Sequence, residues 1–571
     1  MKKYLSQWLP KSIEALKGYS RRDCAADITA GITVGLVALP LAMAFGISSG
    51  VTPQAGIYTA VIAGFLISAL GGSRTQIGGP TGAFVVVIAA IIARHGLSGL
   101  MMVTMMAGGI LLFLGLTGLG NAVKFIPRPV IIGFTNGIAV LIASTQIKDF
   151  LGIKSGSPVP SEFIERMKFL GEHLSVTDPL TVVLALLSLA TILIVPRFTR
   201  RVPGSILALL GATACVALFD IPVETIGSRF GGIPTGFPQL QMPELRLDLV
   251  IPLLPSALTV ALLAAIESLL SAVVADSMSG DRHNSNVELV AQGIANLTVP
   301  LFGGIPVTGA IARTATNIRS GARSPFAGIV HALTLLCILL FAAPLARFIP
   351  LGTLAAVLFV VAYNMGEWRE IPMILRLDRK DISVWLITFA LTVVADLTIA
   401  VEVGMVLAAL LYIYQVTKTT VVAPVTQEAI DEARRHIVQQ YAIPHYVSMF
   451  HVQGPLLFGA ADKINAIIDQ INDLNPIVIL RLRHMTAIDA TGLHAIERLH
   501  EQLHASGRTL ILCGARRQAK KLLYTSSLPR IIGARNVMPN IGSALHRAQV
   551  LNERFGGVGE EAAIGLSVAP V

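Results

Sequence analysis

The chain has 571 residues, of which 53% are hydrophobic and only 14% are charged, and its mean hydropathy is +0.70. A soluble domain is typically about 25% charged, so this composition excludes a wholly soluble protein and indicates a polytopic α-helical membrane protein. The net charge of +10 does not indicate a nucleic-acid partner, because many cations lie at segment ends, where Lys and Arg mark the cytoplasmic side of a bilayer.

Residues 1–22 predict a short amphipathic cytoplasmic helix, and a transmembrane region is predicted from 23 to 416. A full crossing needs about 20 apolar residues. The third and tenth of the predicted segments fall short of this length. The fourteen apolar segments, seven in each half, lie at about 28–47, 53–71, 81–94, 97–118, 127–147, 179–196, 203–220, 251–276, 286–302, 310–319, 322–344, 350–364, 381–397 and 399–415.

A Gly/Pro-rich break opens each of the two short segments, and the two breaks are near-copies. Gly78–Ala83 reads Gly-Gly-Pro-Thr-Gly-Ala and Gly303–Ala310 reads Gly-Gly-Ile-Pro-Val-Thr-Gly-Ala, so that Gly82 and Gly309 lie 227 residues apart. A Phe-Ile-Pro sequence recurs at a similar spacing of 223 residues. Seven segments per repeat require the two halves to have opposite orientations, which predicts an inverted repeat. Broken helices at matching places in two halves are typical of the midplane binding site of a secondary transporter.

The sequence changes from membrane to soluble character after residue 416. Residues 417–438 predict a polar linker with one amphipathic helix, and residues 439–552 alternate strand and helix patterns, which predicts a soluble α/β domain. Strands are predicted at 447–452, 476–482 and 509–513. Residues 553–571 are rich in Gly and Ala and predict a disordered tail.

Four stretches of the membrane region resemble the SulP family of anion permeases. They are Gly31–Gly56 with its Leu-Pro-Leu-Ala-Met-Ala-Phe core, Gly71–Ala83, Glu267–Asp276, and Pro306–Gly321 with its Arg-Thr-Ala-Thr-Asn sequence. The C-terminal region resembles a STAS domain through its Asp489-Ala490-Thr491-Gly492 turn. The resemblance implies a seven-plus-seven transmembrane inverted repeat, divided into core and gate domains and followed by the STAS domain. It also implies a homodimer and the transport of small anions.

The two breaks predict the substrate site. Each should form the N-terminus of a half-helix, where free N–H groups and the positive end of the dipole attract an anion. Arg313 lies one turn inside the second half-helix, where a buried cation adds attraction. The alternatives are glycines needed only for tight packing and an Arg313–Glu267 structural ion pair. The candidate substrate-binding residues are Thr81, Gly82, Ala83, Thr308, Gly309, Ala310, Ile311 and Arg313.

Glu267 and Ser271 are candidates for binding a coupling ion. Glu267 lies near the middle of the eighth segment, where a carboxylate at membrane depth is typical of proton or sodium coupling. Ser271 follows one helical turn later on the same face and could offer a hydroxyl to a cation. The longer side chain of Glu, compared with the Asp of some relatives, favours a proton. The alternative is a carboxylate that only balances the charge of Arg313.

Asp489 and Thr491 are candidates for regulation in the STAS domain. Thr491 matches the position that is phosphorylated in some STAS regulators, and a phosphate is favoured at a helix N-terminus. The alternative is an ordinary N-cap.

Taken together, these patterns predict a secondary active transporter of small anions, such as a sulfate-type oxyanion, bicarbonate or a dicarboxylate. Coupling to H⁺ or Na⁺ is expected, with no other cofactor and no metal, because the four cysteines lack metal-ligand spacing. No nucleophile–base pair indicates an enzyme. The expected setting is the bacterial inner membrane, with both termini and a regulator of the STAS domain in the cytoplasm. An uncoupled channel or exchanger and an anion sensor that signals through the STAS domain are the alternatives.

Overall fold

The computed structural model describes residues 8–120, 127–155, 159–160, 162–198, 203–233, 236–240, 246–395, 397–425 and 443–564. The chain divides into two compact units, residues 1–407 and 408–571, and the boundary lies inside a helix, Leu397–Thr419. The first unit is helical apart from two very short strands, and the second is an α/β domain. Most of the predicted linker helix, and residues 1–7, lie outside the described residues.

The helices of the first unit follow the predicted segments. Pro40 lies inside the second of these helices without ending it. In chain order they are α1 (Lys11–Ala15), α2 (Arg21–Ser48), α3 (Pro53–Leu70), α4 (Val85–Leu116), α5 (Arg128–Leu151), α6 (Phe163–Glu172), α7 (Pro179–Phe198), α8 (Gly204–Phe219), α9 (Ile226–Phe230), α10 (Val250–Ser279), α11 (Ser285–Thr298), α12 (Ile311–Arg319), α13 (Phe326–Phe341), α14 (Leu351–Met365), α15 (Ile371–Ile374), α16 (Arg379–Val394) and α17 (Leu397–Thr419).

Length and hydropathy identify this unit as membrane-spanning. Among the described residues, seven helical stretches are each long and apolar enough to cross a bilayer, and α8 and α13 are shorter apolar helices. Large apolar side chains remain exposed along α7, among them Leu180, Val183 and Leu187. An apolar helix surface of this kind is stable against lipid and would be costly in water.

The helices pack into two groups, which correspond to the core and gate domains that the family resemblance implies. In the core group, α2, α3 and α4 pack with α10, α11, α12 and α13. In the gate group, α5 packs against α14 and α16, and α7 packs against α8 and α14. Asn136 of α5 fastens the gate group, because it accepts a hydrogen bond from Trp385 Nε1 at 2.9 Å and donates one to the Gly366 carbonyl.

The two Gly/Pro breaks form a pair of crossing strands inside the core group. Strand β1 (Gly78–Gly79) pairs antiparallel with β2 (Thr308–Gly309), with Gly78 opposite Gly309. The Ala310 N–H donates to the Ile77 carbonyl at 2.8 Å and extends the ladder. The pairing satisfies backbone groups that no bilayer could hydrogen-bond. The antiparallel crossing of the two equivalent breaks agrees with the predicted inverted repeat.

Each strand leads into a short helix, as the two short segments predict. After β1, a 3₁₀ turn (Gly82–Phe84) opens α4, and Gly96, with φ 67° and ψ −174°, interrupts α4 so that residues 85–95 form a half-helix. After β2, the nine-residue α12 forms the second half-helix. Glycine is suited to the break at 96 because a positive φ costs it little.

The second unit contains a five-stranded sheet in the order β3-β4-β5-β6-β7. Strands β4 to β7 are parallel, and β3 pairs antiparallel with β4 at one edge. The elements are β3 (Val421–Pro424), β4 (Val447–Leu456), α18 (Asp462–Asp469), β5 (Ile477–Ile488), α19 (Ala490–Ala505), β6 (Thr509–Cys513), α20 (Arg517–Thr525), α21 (Leu528–Ile532), β7 (Val537–Met538) and α22 (Ile541–Ile564).

Helices cover both faces of this sheet. Ile464, Leu499 and Leu523 of α18, α19 and α20 pack on one face. Ala544 and Ala548 of α22 pack on the other face. The predicted disordered tail is wrong for residues 553–564, because α22 continues to Ile564. The remaining residues of the predicted tail lie outside the described ones.

Candidate anion-binding site

A cavity of about 300 Å³ lies between the core and gate groups, where the two half-helices begin. Its core side is formed by the first residues of both half-helices and by Glu267 of α10. Of the predicted site residues, the following line the cavity: Thr81, Gly82, Ala83, Glu267, Ala310, Ile311 and Arg313. Thr308, Gly309 and Ser271 are not among the lining residues within the described part of the chain.

The first half-helix presents its N-terminus to the cavity. Thr81 is extended, with φ −128° and ψ 160°, and the chain turns into the helix at Gly82. A Cβ at Gly82 would lie 2.9 Å from Ile142 Cδ1 and 2.9 Å from Met365 Sδ, both in the gate group. Gly82 therefore permits the half-helix to approach α5 and α14 closely, and the first N–H groups of the helix remain without intrahelical partners.

Arg313 connects the second half-helix to the strand of the first. Its side chain is only 2% exposed, and Nη2 donates to the Pro80 carbonyl. Nη1 has no hydrogen-bond partner within the described structure, and a Cβ at Gly79 would collide with it. Among the described residues, no ion pair within 4.0 Å joins Arg313 to Glu267. The guanidinium therefore keeps a donor beside the cavity instead of being neutralised by a bonded carboxylate.

Glu267 is bonded to the opening of the first half-helix. Its Oε2 accepts a hydrogen bond from Thr81 Oγ1 at 2.9 Å, and its side chain is half-buried at the cavity wall. A charged or neutral state of this carboxyl therefore acts on the point where an anion would meet the helix N-terminus. The sequence predicted both residues but not the contact between them, which joins positions 186 residues apart.

Ser271 and Gly309 lie behind the cavity. Ser271 is fully buried, and its hydroxyl is 3.1 Å from Thr314 Oγ1. The Gly309 N–H donates to Ser268 Oγ at 3.0 Å, and a Cβ at Gly309 would meet the Gln76 amide. These two residues fix α12 and β2 against α10, and in this conformation neither reaches the space where an anion would bind.

The gate side of the cavity was not predicted from the sequence. Phe134, Thr135 and Ile138 of α5 and Asn364 and Met365 of α14 line it. These residues lie in ordinary apolar helices, where nothing in the pattern separates a cavity wall from a packing face. Phe45 of α2 also lines the cavity.

The sequence pattern of the sulfate permease family matches residues 24–388, and that of the STAS domain matches residues 439–544. The chain belongs to the sulfate permease family. It is 42% identical over 519 residues to the putative sulfate transporter YvdB of Bacillus subtilis (strain 168), covering 90% of this chain and 96% of the relative. It is 33% identical over 520 residues to the bicarbonate transporter BicA of Picosynechococcus sp., covering 88% and 90%.

Two solved structures are similar to this permease. The transmembrane domain of a cyanobacterial bicarbonate transporter BicA matches with 35% identity and a TM-score of 0.60, covering 68% of this chain and 98% of that chain. The overall structure of SLC26A9 matches with a TM-score of 0.86 at 17% identity, covering 97% and 94%, which shows a shared fold. The predicted family, fold class and STAS domain are confirmed, and the chain is a membrane anion transporter, not an enzyme.

A second cavity of about 310 Å³ in the permease lies along the first half-helix, from Val85 to His95. It also separates the core from the gate group, because residues 85–95 line one side and Leu141 and Thr145 of α5 line the other. Arg94, His95 and Arg166 line this second cavity.

In the STAS domain, Asp489 caps the helix that follows the signature turn. Asp489 Oδ1 accepts from the Gly492 N–H at 2.8 Å and Oδ2 accepts from the Phe458 N–H at 3.0 Å. Thr491 is exposed in the first turn of α19, and the N-cap is Asp489. The alternative that Thr491 is itself the N-cap is therefore wrong, whereas its phosphorylation stays a prediction.

Proposed function

We propose that this permease is a secondary active transporter that moves a small anion by alternating access and is coupled to H⁺ or Na⁺. The observation that carries the proposal is the unpartnered Nη1 of buried Arg313 beside a cavity where two half-helices begin. A buried donor without a partner costs free energy, and an anion in the cavity would supply that partner. The helix N-termini add their positive dipole ends.

Coupling is supported by the charges that share the cavity. With Glu267 ionised and Arg313 charged, the two side chains sum to zero, so an added anion leaves net negative charge in a poorly solvated site. A proton on Glu267, or a sodium ion between its carboxylate and the Thr81 hydroxyl, removes that cost. The longer Glu side chain favours the proton. Ser271 would join a sodium site only if α12 releases its hydroxyl from Thr314.

Alternating access is supported by the two cavities along the first half-helix. Residues 81–83, where the half-helix begins, line the first cavity, residues between 85 and 95 line the second, and both cavities lie between core and gate. A displacement of the core group along the gate group would close one and connect the half-helix N-terminus with the other. A channel would need one continuous pore in place of two separated cavities.

For the substrate, the names of the relatives support sulfate or bicarbonate, and a dicarboxylate remains the third candidate. We further propose a homodimer in the bacterial inner membrane. Both termini would lie in the cytoplasm because the number of segments is even, and a cytoplasmic regulator would act at Asp489 and Thr491.

Flux into proteoliposomes tests the proposal. We expect uptake of radiolabelled sulfate or bicarbonate to exceed equilibrium when an inward H⁺ or Na⁺ gradient is imposed, and to stop exceeding it when the gradient is dissipated. Uptake that only follows the membrane potential would favour a channel. Counterflow without any cation dependence would favour an exchanger, and binding without flux would favour a sensor.

A further inference from the structure

The STAS domain contains a basic cavity that the transport mechanism does not use. It has a volume of about 250 Å³ and lies where β6 and β7 end and α22 begins. Of the described residues, three arginines line it, Arg481 and Arg483 of β5 and Arg516 after β6, and none of the lining residues is Asp or Glu. The edge at the carboxyl ends of parallel strands is where ligands commonly bind in open α/β sheets.

The alternation along β5 explains how the arginines reach this cavity. Residues 477, 479, 481 and 483 share one face of the strand because side chains alternate. Ile477 and Ile479 are buried on the face that α22 covers. Beyond them, Arg481 and Arg483 continue the same row, and Arg481 lies opposite Cys513 at the end of β6. Two arginines thus stand on the face of β5 whose preceding residues are apolar and buried.

Arg481 is the observation that points to a ligand. It is only 6% exposed, and among the described residues it forms no hydrogen bond and no ion pair. Burial lowers the pKa of its guanidinium, the neighbouring Arg483 adds to this shift and Cys513 opposes it, and no carboxylate is among the groups that act on it. A largely buried cation that no carboxylate pairs with is costly, so an anion in the cavity would stabilise Arg481.

The N-terminus of α22 adds to the same positive field. Asn540 precedes this helix and its Oδ1 accepts from the Ser543 N–H at 2.9 Å, while Ile541 and Gly542 line the cavity. The N–H groups of the first turn of a long helix favour anions. Gly514, with φ +77°, turns the chain away at the end of β6, and its ideal Cβ would lie 3.4 Å from Arg483 Cβ.

We propose that this cavity binds a tetrahedral oxyanion, sulfate or inorganic phosphate, between Arg481, Arg483, Arg516 and the first turn of α22. Guanidinium groups match such anions with paired N–H donors. Among the described residues, no aromatic side chain on which a base could stack lines the cavity, so a free oxyanion fits the site better than a nucleotide. The site belongs to the STAS domain and does not depend on the proposed transport cycle.

Hydrogen exchange of the purified full-length protein, read by mass spectrometry, tests this assignment. Sulfate, and separately phosphate, should slow exchange in peptides covering residues 514–516 and 540–544, whereas chloride at equal ionic strength should not. Arg516→Gln changes an exposed side chain, so the fold should persist, and Arg481→Gln removes the buried cation. Because each variant loses one charge-assisted contact, the anion concentration that gives half-maximal protection should rise about 10-fold or more.

Arg498→Gln is the matched control, because Arg498 is exposed on α19 outside the cavity, and it should leave the midpoint unchanged. Arg313→Gln should also leave it unchanged, which separates this site from the transport site. Equal protection by chloride, or protection that survives both Arg481→Gln and Arg516→Gln, would overturn the proposal. Protection by a mononucleotide but not by inorganic phosphate would overturn it as well.

Discussion

Arg313 is the residue whose removal should act most directly on the anion. Arg313→Gln takes away the unpartnered Nη1 beside the cavity, and a charge-assisted hydrogen bond contributes about 1.5–3 kcal/mol. We therefore expect the Kd for the transported anion to rise about 10- to 100-fold, measured by isothermal titration on purified protein. Arg319→Gln is the control, since Arg319 is exposed at the end of the same helix. An unchanged Kd in a folded Arg313→Gln protein would remove this residue from the site.

Glu267→Gln should separate coupling from translocation. The amide keeps the shape of the carboxyl and its contact with Thr81 Oγ1, but it cannot ionise. We expect uptake against a gradient to fall at least about 10-fold, to the level of the dissipated gradient, while exchange of anion for anion continues. Glu172→Gln on the exposed end of α6 provides the control for a lost negative charge. If Glu267→Gln still concentrates the anion with the same pH dependence, another group carries the coupling.

Cys513 reports on the integrity of the STAS domain through its reactivity. Burial raises the pKa of the Cys513 thiol from 9.0 to about 12, and the side chain is 2% exposed. The thiolate is the reactive form, so at pH 8 its population is about 1,000-fold lower than for an ordinary thiol. Alkylation of Cys513 should be slowed at least that much in the native protein, as followed by mass spectrometry, and should become fast in denaturant. Rapid native labelling would contradict the buried position.

At the scale of elements, Gly82 tests whether the half-helix must move past the gate group. In Gly82→Ala, the added methyl group meets the flexible ends of Ile142 and Met365. Overpacking of this kind costs about 1–3 kcal/mol, which a folded membrane domain can tolerate. We expect a normal chromatographic profile but at least about 10-fold slower uptake. Gly109→Ala is the matched control, because a Cβ there has no neighbour within 4 Å. Equal uptake by both variants would exclude Gly82 from the moving interface.

The breaks and the repeat were readable from the sequence because they rest on local chemistry. Gly/Pro runs interrupt helices wherever they occur. An internal duplication can be recognised in a sequence as long as its two copies remain similar. Thr81, Glu267 and Arg313 could therefore be assigned to the transport region from the sequence alone. The hydrogen bond between Arg313 and the Pro80 carbonyl could not be predicted from the sequence, because it depends on how two distant strands cross. For the same reason, the burial of Ser271 against Thr314 was not predicted.

In the soluble unit, the sequence predicted the central strands but not their lengths or the edges. The apolar run from 477 to 482 indicates a strand, whereas residues 483–488 mix polar and apolar side chains. Pairing with β4 and two hydrogen bonds between the Gln518 amide and the Ile488 backbone hold them in place. Strands β3 and β7 were missed because each has four residues or fewer. Such short segments acquire their conformation from pairing, which no local pattern records.

At the scale of the whole molecule, the two units should separate by function. Strand β3 belongs to the sheet of the second unit, so a truncation after Thr419, at the end of α17, removes the whole sheet without leaving an orphan strand. We expect the remaining permease to bind the anion with a Kd within about threefold of the full-length value, because every lining residue of the first cavity lies before 407. Transport rate or thermal stability should change.

Isothermal titration of the anion into full-length and truncated protein, both shown to be monodisperse, measures the two Kd values. Loss of anion affinity only on truncation would mean that the second unit contributes to the transport site. An unchanged rate and an unchanged Tm would instead deny the STAS domain any regulatory or supporting role.

The crossing of β1 with β2 also sets a constraint on how the protein is made. The two strands are about 230 residues apart, so at a synthesis rate of roughly 5–20 residues per second the first waits about 10–50 s for the second. During that interval the N–H and C=O groups around Gly78 have no partner strand, and lipid cannot hydrogen-bond them. The first break therefore has to be sheltered by the insertion machinery or held at the bilayer surface until the second half arrives, which makes the substrate site among the last parts of the permease to be assembled.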